Sequence, residues 1–159
     1  MMPMKKQIYL AGGFFSDKQN DLVTRAHTAL EHNPTVGYIH SPREHQYQNV
    51  TAENDPKGIF GSYEWATETY NNDLTAMGLA DLAVVVWDNV QPDMGTAWEM
   101  GYLAALHKPI VLTCEDAVEQ VGINLMLIKG SKTFLTQVQE LKDFDFNLIP
   151  TKLYKGLII

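Results

Sequence analysis

Hydrophobic positions along the chain follow two spacings that succeed each other from one end to the other. Short, nearly continuous apolar runs predict strands at residues 7–11, 36–40, 82–87 and 109–113. Between them lie segments with an apolar residue every three or four positions, which predict helices at 16–33, around 65–77 and at 95–106. This alternation favours an α/β fold: a doubly wound parallel sheet of the flavodoxin-like or Rossmann-like kind.

The boundaries of the first helix and the place of one strand are marked most clearly. Ser16 has the character of an N-cap, and Gln19 three residues later predicts a capping box. Asn33 and Pro34 predict the end of that helix. The run at 82–87 is apolar at every position and β-branched, which indicates a central strand buried on both faces.

Other parts of the chain show weaker patterns. Residues 41–61 have no clear periodicity, which in a compact domain indicates a functional loop. A further helix is expected at 116–127 and a short strand–helix pair through Leu141, while the apolar segment 143–159 should dock on the rest of the molecule. Without a repeat or a linker, residues 1–159 are expected to form a single domain.

Composition and charge exclude several partners. The 159 residues are 45% hydrophobic and 19% charged, and 19 acidic against 12 basic residues give a net charge of −7. Such a surface disfavours nucleic acids and anionic membranes. Cys114 is the only cysteine, so no internal disulfide can form. The apolar run at 8–11 is too short for a signal peptide, and the run at 82–87 is far below the ~20 residues of a membrane span, so a cytoplasmic location is expected.

Candidate catalytic side chains fall where the predicted strands end. In an open α/β sheet, ligands bind beyond the carboxyl ends of the strands. Tyr9 lies at the end of the first strand, Asp93 follows the 82–87 strand, and Glu99 lies near the start of the next helix. Two carboxyl groups suit glycosyl transfer with retention, and the helix dipole should favour ionised Glu99. Asp73 is a third acid, on the same helical face as Tyr70. The alternative is that these acids are merely solvated.

A turn after the first strand could bind a flat ligand. Gly12 and Gly13 lack the spacing of a dinucleotide or P-loop motif, and Phe14 and Phe15 after them suit a nucleobase better than a phosphate. The alternative is that both rings belong to the core. The five histidines have no metal-ligand spacing, and Cys114 has no partner for a zinc site. We therefore expect neither a metal nor a cofactor.

Taken together, these segments resemble a known enzyme family. The resemblance to the nucleoside 2-deoxyribosyltransferases covers nearly the whole chain. It rests on residues 8–17 (IYLAGGFFSD), 65–74 (WATETYNNDL), 93–101 (DMGTAWEMG) and 124–126 (NLM), with 143–147 (DFDFN) before the tail. Gln46 and Tyr47 look closer to the members that accept both purines and pyrimidines than to the purine-only ones.

The resemblance implies a role for each catalytic candidate. Glu99 would be the nucleophile that forms a deoxyribosyl-enzyme intermediate, and Tyr9 would orient its carboxylate. Asp73 and Asp93 match acids near the base and the sugar, one of which protonates the departing base. Sequence alone does not say which.

The same resemblance implies the substrates and the assembly. Deoxynucleosides and free nucleobases would be the ligands, with Phe15 and Gln46 holding the base. A transferase must also keep water from its intermediate, which suits a pocket lined by Phe14, Phe15 and Trp65. Family members form hexamers built from dimers, in which Asn124, beside Met126, reaches a neighbour's site. The family's terminal tyrosine is Ile159 here, so a role is expected for its carboxylate alone.

Three alternatives remain open at this stage. A hydrolase acting on deoxynucleoside monophosphates would need a phosphate pocket, which two arginines and the Phe14–Phe15 pair disfavour. A non-catalytic nucleotide-binding module on a flavodoxin-like sheet is compatible with the same fold. A purely structural oligomer is the third. Base exchange between a deoxynucleoside and a free base distinguishes the transferase from all of them.

Overall fold

The computed structural model describes residues 4–116 and 118–159 and shows one parallel sheet. The first three residues of the chain, before the predicted first strand, and Ala117, inside the predicted helix at 116–127, lie outside the described residues. The sheet has five strands in the order β2-β1-β3-β4-β5, every pair parallel. The strands are β1 (Lys6–Gly12), β2 (Val36–His40), β3 (Leu82–Val86), β4 (Ile110–Thr113) and β5 (Thr133–Leu135). The predicted doubly wound α/β fold is confirmed.

Helices cover both faces of this sheet. They are α1 (Asp17–Glu31), α2 (Tyr63–Leu79), α3 (Met94–Ala105), α4 (Val118–Val121) and α5 (Leu125–Gly130), with 3₁₀ turns at Pro42–Glu44, Tyr47–Asn49 and Val138–Lys142. One core packs α1 and the Val138–Lys142 turn against the sheet, and the other packs α2, α3 and α5 against the opposite face. Every residue of β3 is buried, as expected of a central strand. No helix in the described ranges is long and apolar enough to cross a membrane.

Three local expectations need correction. The helix predicted at 116–127 is instead two short helices, because Gly122 has a φ of +80° and Ile123 pairs with Ile158 of the tail. The capping box at α1 is half formed: Ser16 accepts from the Gln19 backbone, but the Gln19 side chain accepts from Phe15 instead. The irregular segment at 41–61 contains two 3₁₀ turns.

The expected docking of the tail is only partly observed. Phe144 and Phe146 are buried in the core on the α1 face, whereas Leu148, Leu153 and Ile159 remain largely exposed. The last residues pair with the segment before α5, so the chain end is fixed by backbone hydrogen bonds rather than by burial.

The strand order determines where a ligand can bind. β1 lies between β2 and β3, and the connections from β1 and β3 leave the sheet towards opposite faces. A crevice therefore opens beyond the carboxyl ends of β1 and β3, at the switch point typical of ligand sites in such sheets. The loops that follow β1 and β3 carry Gly13 to Phe15 and Asp93.

Candidate active site

The predicted catalytic acids meet at that crevice. Asp93 caps α3, and Glu99 lies in the second turn of the same helix. Asp73 approaches from α2, and Tyr9 lies under them on β1. A cavity of about 380 Å³ is lined by Asp73, Asp93 and Glu99 together with residues of the loops after β1 and β2.

Aromatic side chains form the opposite wall of this cavity. Phe14 and Phe15 stack on each other with ring centroids 4.8 Å apart, and Phe15 is 76% exposed. The alternative that this pair belongs to the core is therefore wrong. Trp65 packs on Phe60 with ring centroids 4.6 Å apart, and its indole N–H donates to the Val50 carbonyl at 3.0 Å. These rings offer a flat, apolar surface suited to a nucleobase.

Gln46 brings a polar group to the same wall. Its side-chain oxygen is buried and accepts no hydrogen bond from the described residues. A buried amide oxygen without a donor costs free energy unless a ligand supplies one. The Gln46 amide is thus ready to accept from an N–H group of a bound molecule.

A second cavity opens on the other side of Glu99. It measures about 350 Å³ and is lined by Tyr70, Met77 and Trp98 together with Asp73, Gly95 and Glu99. Tyr70 and Asp73 thus share one face of α2, as their spacing predicts. Because Glu99 borders both cavities, its carboxyl group can meet a molecule that extends from one to the other.

Burial and charge, rather than the helix dipole, control the Glu99 carboxyl group. Removal from water raises its pKa most, the charges of Asp73 and Asp93 raise it further, and the nearby Tyr9 hydroxyl opposes them, leaving a pKa of about 8. The raised pKa of Glu99 is opposite in direction to the expected effect of the helix dipole, which favours the ionised form. The dipole's influence fades beyond the first turn, and Glu99 is in the second turn of α3.

Tyr9 is enclosed directly beside this carboxyl group. Its side chain is fully buried, and burial followed by the charges of Glu99 and Asp73 raises the phenol pKa far above its ordinary value. The hydroxyl therefore keeps its proton and can donate a hydrogen bond to a carboxylate. It has no regular hydrogen bond with the described residues, although its approach to Glu99 lowers the pKa of that carboxyl. Contacts of this kind often tighten only when substrate binds.

The two other acids are held by different partners. Asp93 Oδ2 accepts from both the backbone N–H and the hydroxyl of Thr96, each at 2.7 Å. Asp73 Oδ1 lies 2.9 Å from Nε2 of His40, the last residue of β2. Each carboxyl group is fixed through one oxygen, and its other oxygen has no hydrogen bond within the described part of the chain.

The remaining predicted site residues lie elsewhere. Asn124 caps α5 and holds the Met126 backbone N–H at 2.9 Å, while Leu125 donates to the carbonyl of Ile159 at 2.7 Å. Asn124, Met126 and Ile159 are all exposed, and none lines either cavity beside Glu99. They form a surface corner at the start of α5, outside both cavities beside Glu99 in their own chain.

Known proteins resemble this chain over most of its length. The family model described as nucleoside 2-deoxyribosyltransferase matches residues 8–142. A nucleoside deoxyribosyltransferase of Limosilactobacillus fermentum is 45% identical over 146 residues, covering 89% of this chain and 86% of that protein. Another from Lactobacillus leichmannii is 33% identical and covers 97% and 98% of the two chains. The chain belongs to the nucleoside 2-deoxyribosyltransferase family.

Solved structures agree with this assignment. The 2-deoxyribosyltransferase of the psychrotolerant bacterium Bacillus psychrosaccharolyticus superposes with a TM-score of 0.78 at 33% identity, covering 93% of this chain and 98% of that one. A conserved protein of Enterococcus faecalis, with a TM-score of 0.55 and 17% identity, shares the fold. The chain is therefore an enzyme of the nucleoside deoxyribosyltransferase type.

Sequence reasoning missed three residues around the site of this enzyme. His40 bonds Asp73, Phe60 supports Trp65, and Gln19 ties together the loops after β1 and β3. The sequence offers one signal for His40, which ends a predicted strand at the edge of the sheet where ligand sites form. Within the described ranges, no three histidine, cysteine or acidic side chains are arranged to hold a metal ion.

Proposed function

We propose that this enzyme moves a 2-deoxyribosyl group between nucleobases through a covalent ester with Glu99, and that the configuration at the anomeric carbon is retained. One observation carries the proposal: a buried carboxyl group that borders both an aromatic cavity and a second cavity, with two further acids beside it. The aromatic cavity would hold the base, and the deoxyribose would lie over Glu99.

The first half-reaction would break the glycosidic bond. A Glu99 oxygen attacks C1′, the electron pair of the C–N bond leaves with the base, and the base takes up a proton. The positive charge that develops on the sugar is stabilised by the carboxylates around it. In the second half-reaction a nitrogen of the incoming base attacks C1′, releases Glu99 and gives up its proton. Two inversions give net retention.

The proton that the base needs is already in the site. With a pKa of about 8, Glu99 holds a proton at neutral pH and must lose it before it can attack. The departing base must gain one. We propose that it is the same proton, passed through Asp73 or Asp93, which both line the cavity.

The walls of the site favour uncharged nucleosides. Among the described residues, no lysine or arginine lines either cavity. A deoxynucleoside monophosphate would bring about two negative charges close to three acids, which is unfavourable without a basic partner. This observation favours the transferase over the hydrolase that acts on monophosphates. Gln46 would accept a hydrogen bond from the base, which purines and pyrimidines with an amino or imino N–H can both provide.

We further propose a homo-oligomer with shared sites, in keeping with the hexamer that the resemblance implies. Tyr70, Trp98 and Met94 are 49%, 50% and 87% exposed, and Met126 is 73% exposed, which is much apolar area for a free surface. In an assembly, the corner formed by Asn124, Met126 and Ile159 would reach the sugar side of a neighbour's cavity.

Steady-state kinetics tests the chemical step. Exchange between a deoxynucleoside and a free base should be ping-pong, with parallel double-reciprocal lines and only the β-anomer as product. Converging lines, or a mixture of anomers, would contradict the covalent route. Hydrolysis without exchange would replace the transferase by a nucleosidase.

A pH profile tests the shared proton. For an ordinary deoxynucleoside, kcat/KM should be level below about pH 8 and fall above it, because Glu99 then loses the proton that the base needs. A deoxynucleoside whose base departs without protonation is the matched control, and its kcat/KM should rise towards pH 8. Identical profiles for the two substrates would exclude the proposal.

Mixed subunits test the shared site. Glu99→Gln and Asn124→Ala chains should each be inactive alone. After the two are mixed and reassembled, some sites combine an intact Glu99 with an intact Asn124 of the neighbour, and part of the exchange activity should return. If the mixture shows no more activity than the two separate variants, each site lies within one chain.

A further inference from the structure

His40 is a buried polar residue that the mechanism above does not use. It is the last residue of β2 and is only 5% exposed. It pairs with Tyr9 in the register of β1 and β2, and the two rings stack with centroids 5.5 Å apart and planes 15° apart. The imidazole therefore lies against one residue of the Glu99 cluster and bonds a second.

The bond to Asp73 is the important contact. His40 Nε2 and Asp73 Oδ1 are 2.9 Å apart, and this is the only hydrogen bond that the Asp73 side chain makes within the described part of the chain. Asp73 lies on α2, and its charge is one of those that raise the pKa of Glu99, so a free Asp73 carboxylate would turn away towards water once Glu99 ionises. The Nε2–H donor of His40, at the end of β2, opposes that movement.

We propose that His40 is a positioning residue that holds the Asp73 carboxylate against Glu99 by donating from Nε2. The inference rests on the proposed function, because it assigns Asp73 a place in the acid cluster. With Oδ1 occupied by His40, Asp73 presents Oδ2 to the cavity, where a proton can pass between Glu99 and the base. His40 itself touches neither the reacting atoms nor either of the two cavities beside Glu99.

Three titratable groups face the His40 ring. Tyr9 faces it from β1, Asp73 from α2, and His45 stacks on it at 4.3 Å from the loop after β2. His45 bonds the Ser41 carbonyl and the Tyr38 hydroxyl and does not line the cavities beside Glu99. His45→Gln is therefore a suitable control for effects of the histidine pair as such.

Two substitutions separate the donor from the ring. His40→Gln keeps an N–H donor at about the reach of Nε2 but removes the ring. His40→Phe keeps a ring that can stack on Tyr9 but cannot donate. If the donor positions Asp73, kcat falls about ten- to hundredfold in His40→Phe with little change in KM, and His40→Gln restores most of it. His45→Gln stays close to wild type.

The pH profile adds a readout that packing would not move. The Asp73 charge is one of the causes that raise the Glu99 pKa. When Asp73 turns away in His40→Phe, that pKa falls, and the alkaline limb of kcat/KM moves to lower pH. In His40→Gln the limb stays where it is in the wild type.

The opposite pattern overturns the proposal. An active His40→Phe with an unmoved limb and an impaired His40→Gln would make His40 a packing residue for Tyr9. If His40→Phe and His40→Gln both fold and both have the wild-type kcat, His40 has no role in the reaction. Both results leave exchange by the wild-type enzyme intact, whereas absence of wild-type exchange would refute the proposed function itself. Thermal unfolding of each variant shows that the folded enzyme is being compared.

Discussion

At the scale of single residues, the surroundings of Glu99 disfavour the charge on its carboxyl group. A carboxyl group with a pKa of about 8 is poorly accommodated as an anion, yet the proposed reaction needs that anion. Acids with strongly shifted pKa values in clefts are typical of functional sites, because catalysis needs groups whose pKa values are shifted by burial and like charges. Such a residue should lower stability in a pH range where an inert one would not.

The variant Glu99→Gln tests, through the stability of the protein, whether ionised Glu99 is disfavoured in the fold. Because the folded-state pKa is raised from 4.5 to about 8, the folded protein binds an extra proton between these values, and the contribution of Glu99 to stability is lost as pH rises through that range. The variant keeps its shape but cannot ionise. Its Tm relative to wild type should therefore rise steadily from pH 5 to pH 8.5.

The same variant should lose base exchange by at least about a thousandfold, because an amide cannot form the ester. Glu68→Gln, at an exposed acid of α2, is the control and should change neither quantity. A difference in Tm between Glu99→Gln and wild type that is constant with pH would contradict the burial argument, and retained exchange would remove Glu99 as nucleophile.

Tyr9→Phe separates orientation from packing. The hydroxyl makes no regular hydrogen bond with the described residues, so its removal should leave stability unchanged or slightly higher. If it tightens onto Glu99 during the reaction, its loss should cost on the order of 1–3 kcal/mol in kcat, with KM almost unchanged. Single-turnover rates and thermal unfolding measure both. An unaltered single-turnover rate would reduce Tyr9 to a core residue.

At the scale of elements, one glutamine joins the two loops that build the site. Gln19 of α1 is buried; its oxygen accepts from Phe15 N–H at 2.9 Å, and its amide donates to the Gln91 carbonyl at 2.9 Å. A Cβ on Gly13 would lie 2.8 Å from this side chain, so glycine is needed there for the close approach. The aromatic wall after β1 is thereby tied to the loop that carries Asp93.

Gln19→Leu should loosen that wall without touching the acids. The Phe15 N–H and Gln91 carbonyl would lose their partner, and the ring of Phe15 would no longer be fixed relative to Asp93. We expect KM for the acceptor base to rise several-fold with a smaller change in kcat, and Tm to fall by an amount consistent with about 1–3 kcal/mol. Gln120→Leu, at an exposed glutamine of α4, is the control. An unchanged KM would show that the loops are held by other contacts.

Elements with strong local patterns were predictable from the sequence. The second strand has the predicted bounds, and β3 and α3 differ by one residue at their ends. The catalytic candidates came together because strand ends of a parallel sheet meet at one edge. What failed depends on contacts distant in sequence: the break at Gly122 exists because the tail, more than thirty residues later, pairs there. His40 and Asp73 are likewise 33 residues apart.

At the scale of the whole molecule, the chain end and the proposed shared corner form one structure. Ile159 donates to the Ile123 carbonyl at 3.1 Å and accepts from Leu125 at 2.7 Å, which places the tail along the segment that carries Asn124. Gly122 permits this pairing, because a Cβ there would lie 2.9 Å from the Ile159 side chain. The tail therefore shapes the corner that we propose for a neighbour's site.

Shortening the tail tests whether this corner has a catalytic role. Deletion of residues 157–159 removes three backbone hydrogen bonds from the segment before α5 and should cut exchange sharply. Gly122→Ala should act in the same direction, since it disturbs the pairing without removing the tail. Ile159→Tyr keeps the backbone and the terminal carboxylate, so its effect should be mild. A tag after Ile159 displaces the carboxylate and should resemble the deletion.

Turnover, Tm and mass by light scattering have to be measured together on each of these variants. A tail that is only structural would lower Tm in the deletion but leave kcat intact in the folded fraction. A catalytic corner would lower kcat even where Tm and mass match the wild type. Mixing the deletion variant with Glu99→Gln subunits should then restore part of the activity, although each variant is inactive alone. A wild-type monomer with full activity would refute the shared site, because Asn124, Met126 and Ile159 lie outside the Glu99 cavities of their own chain.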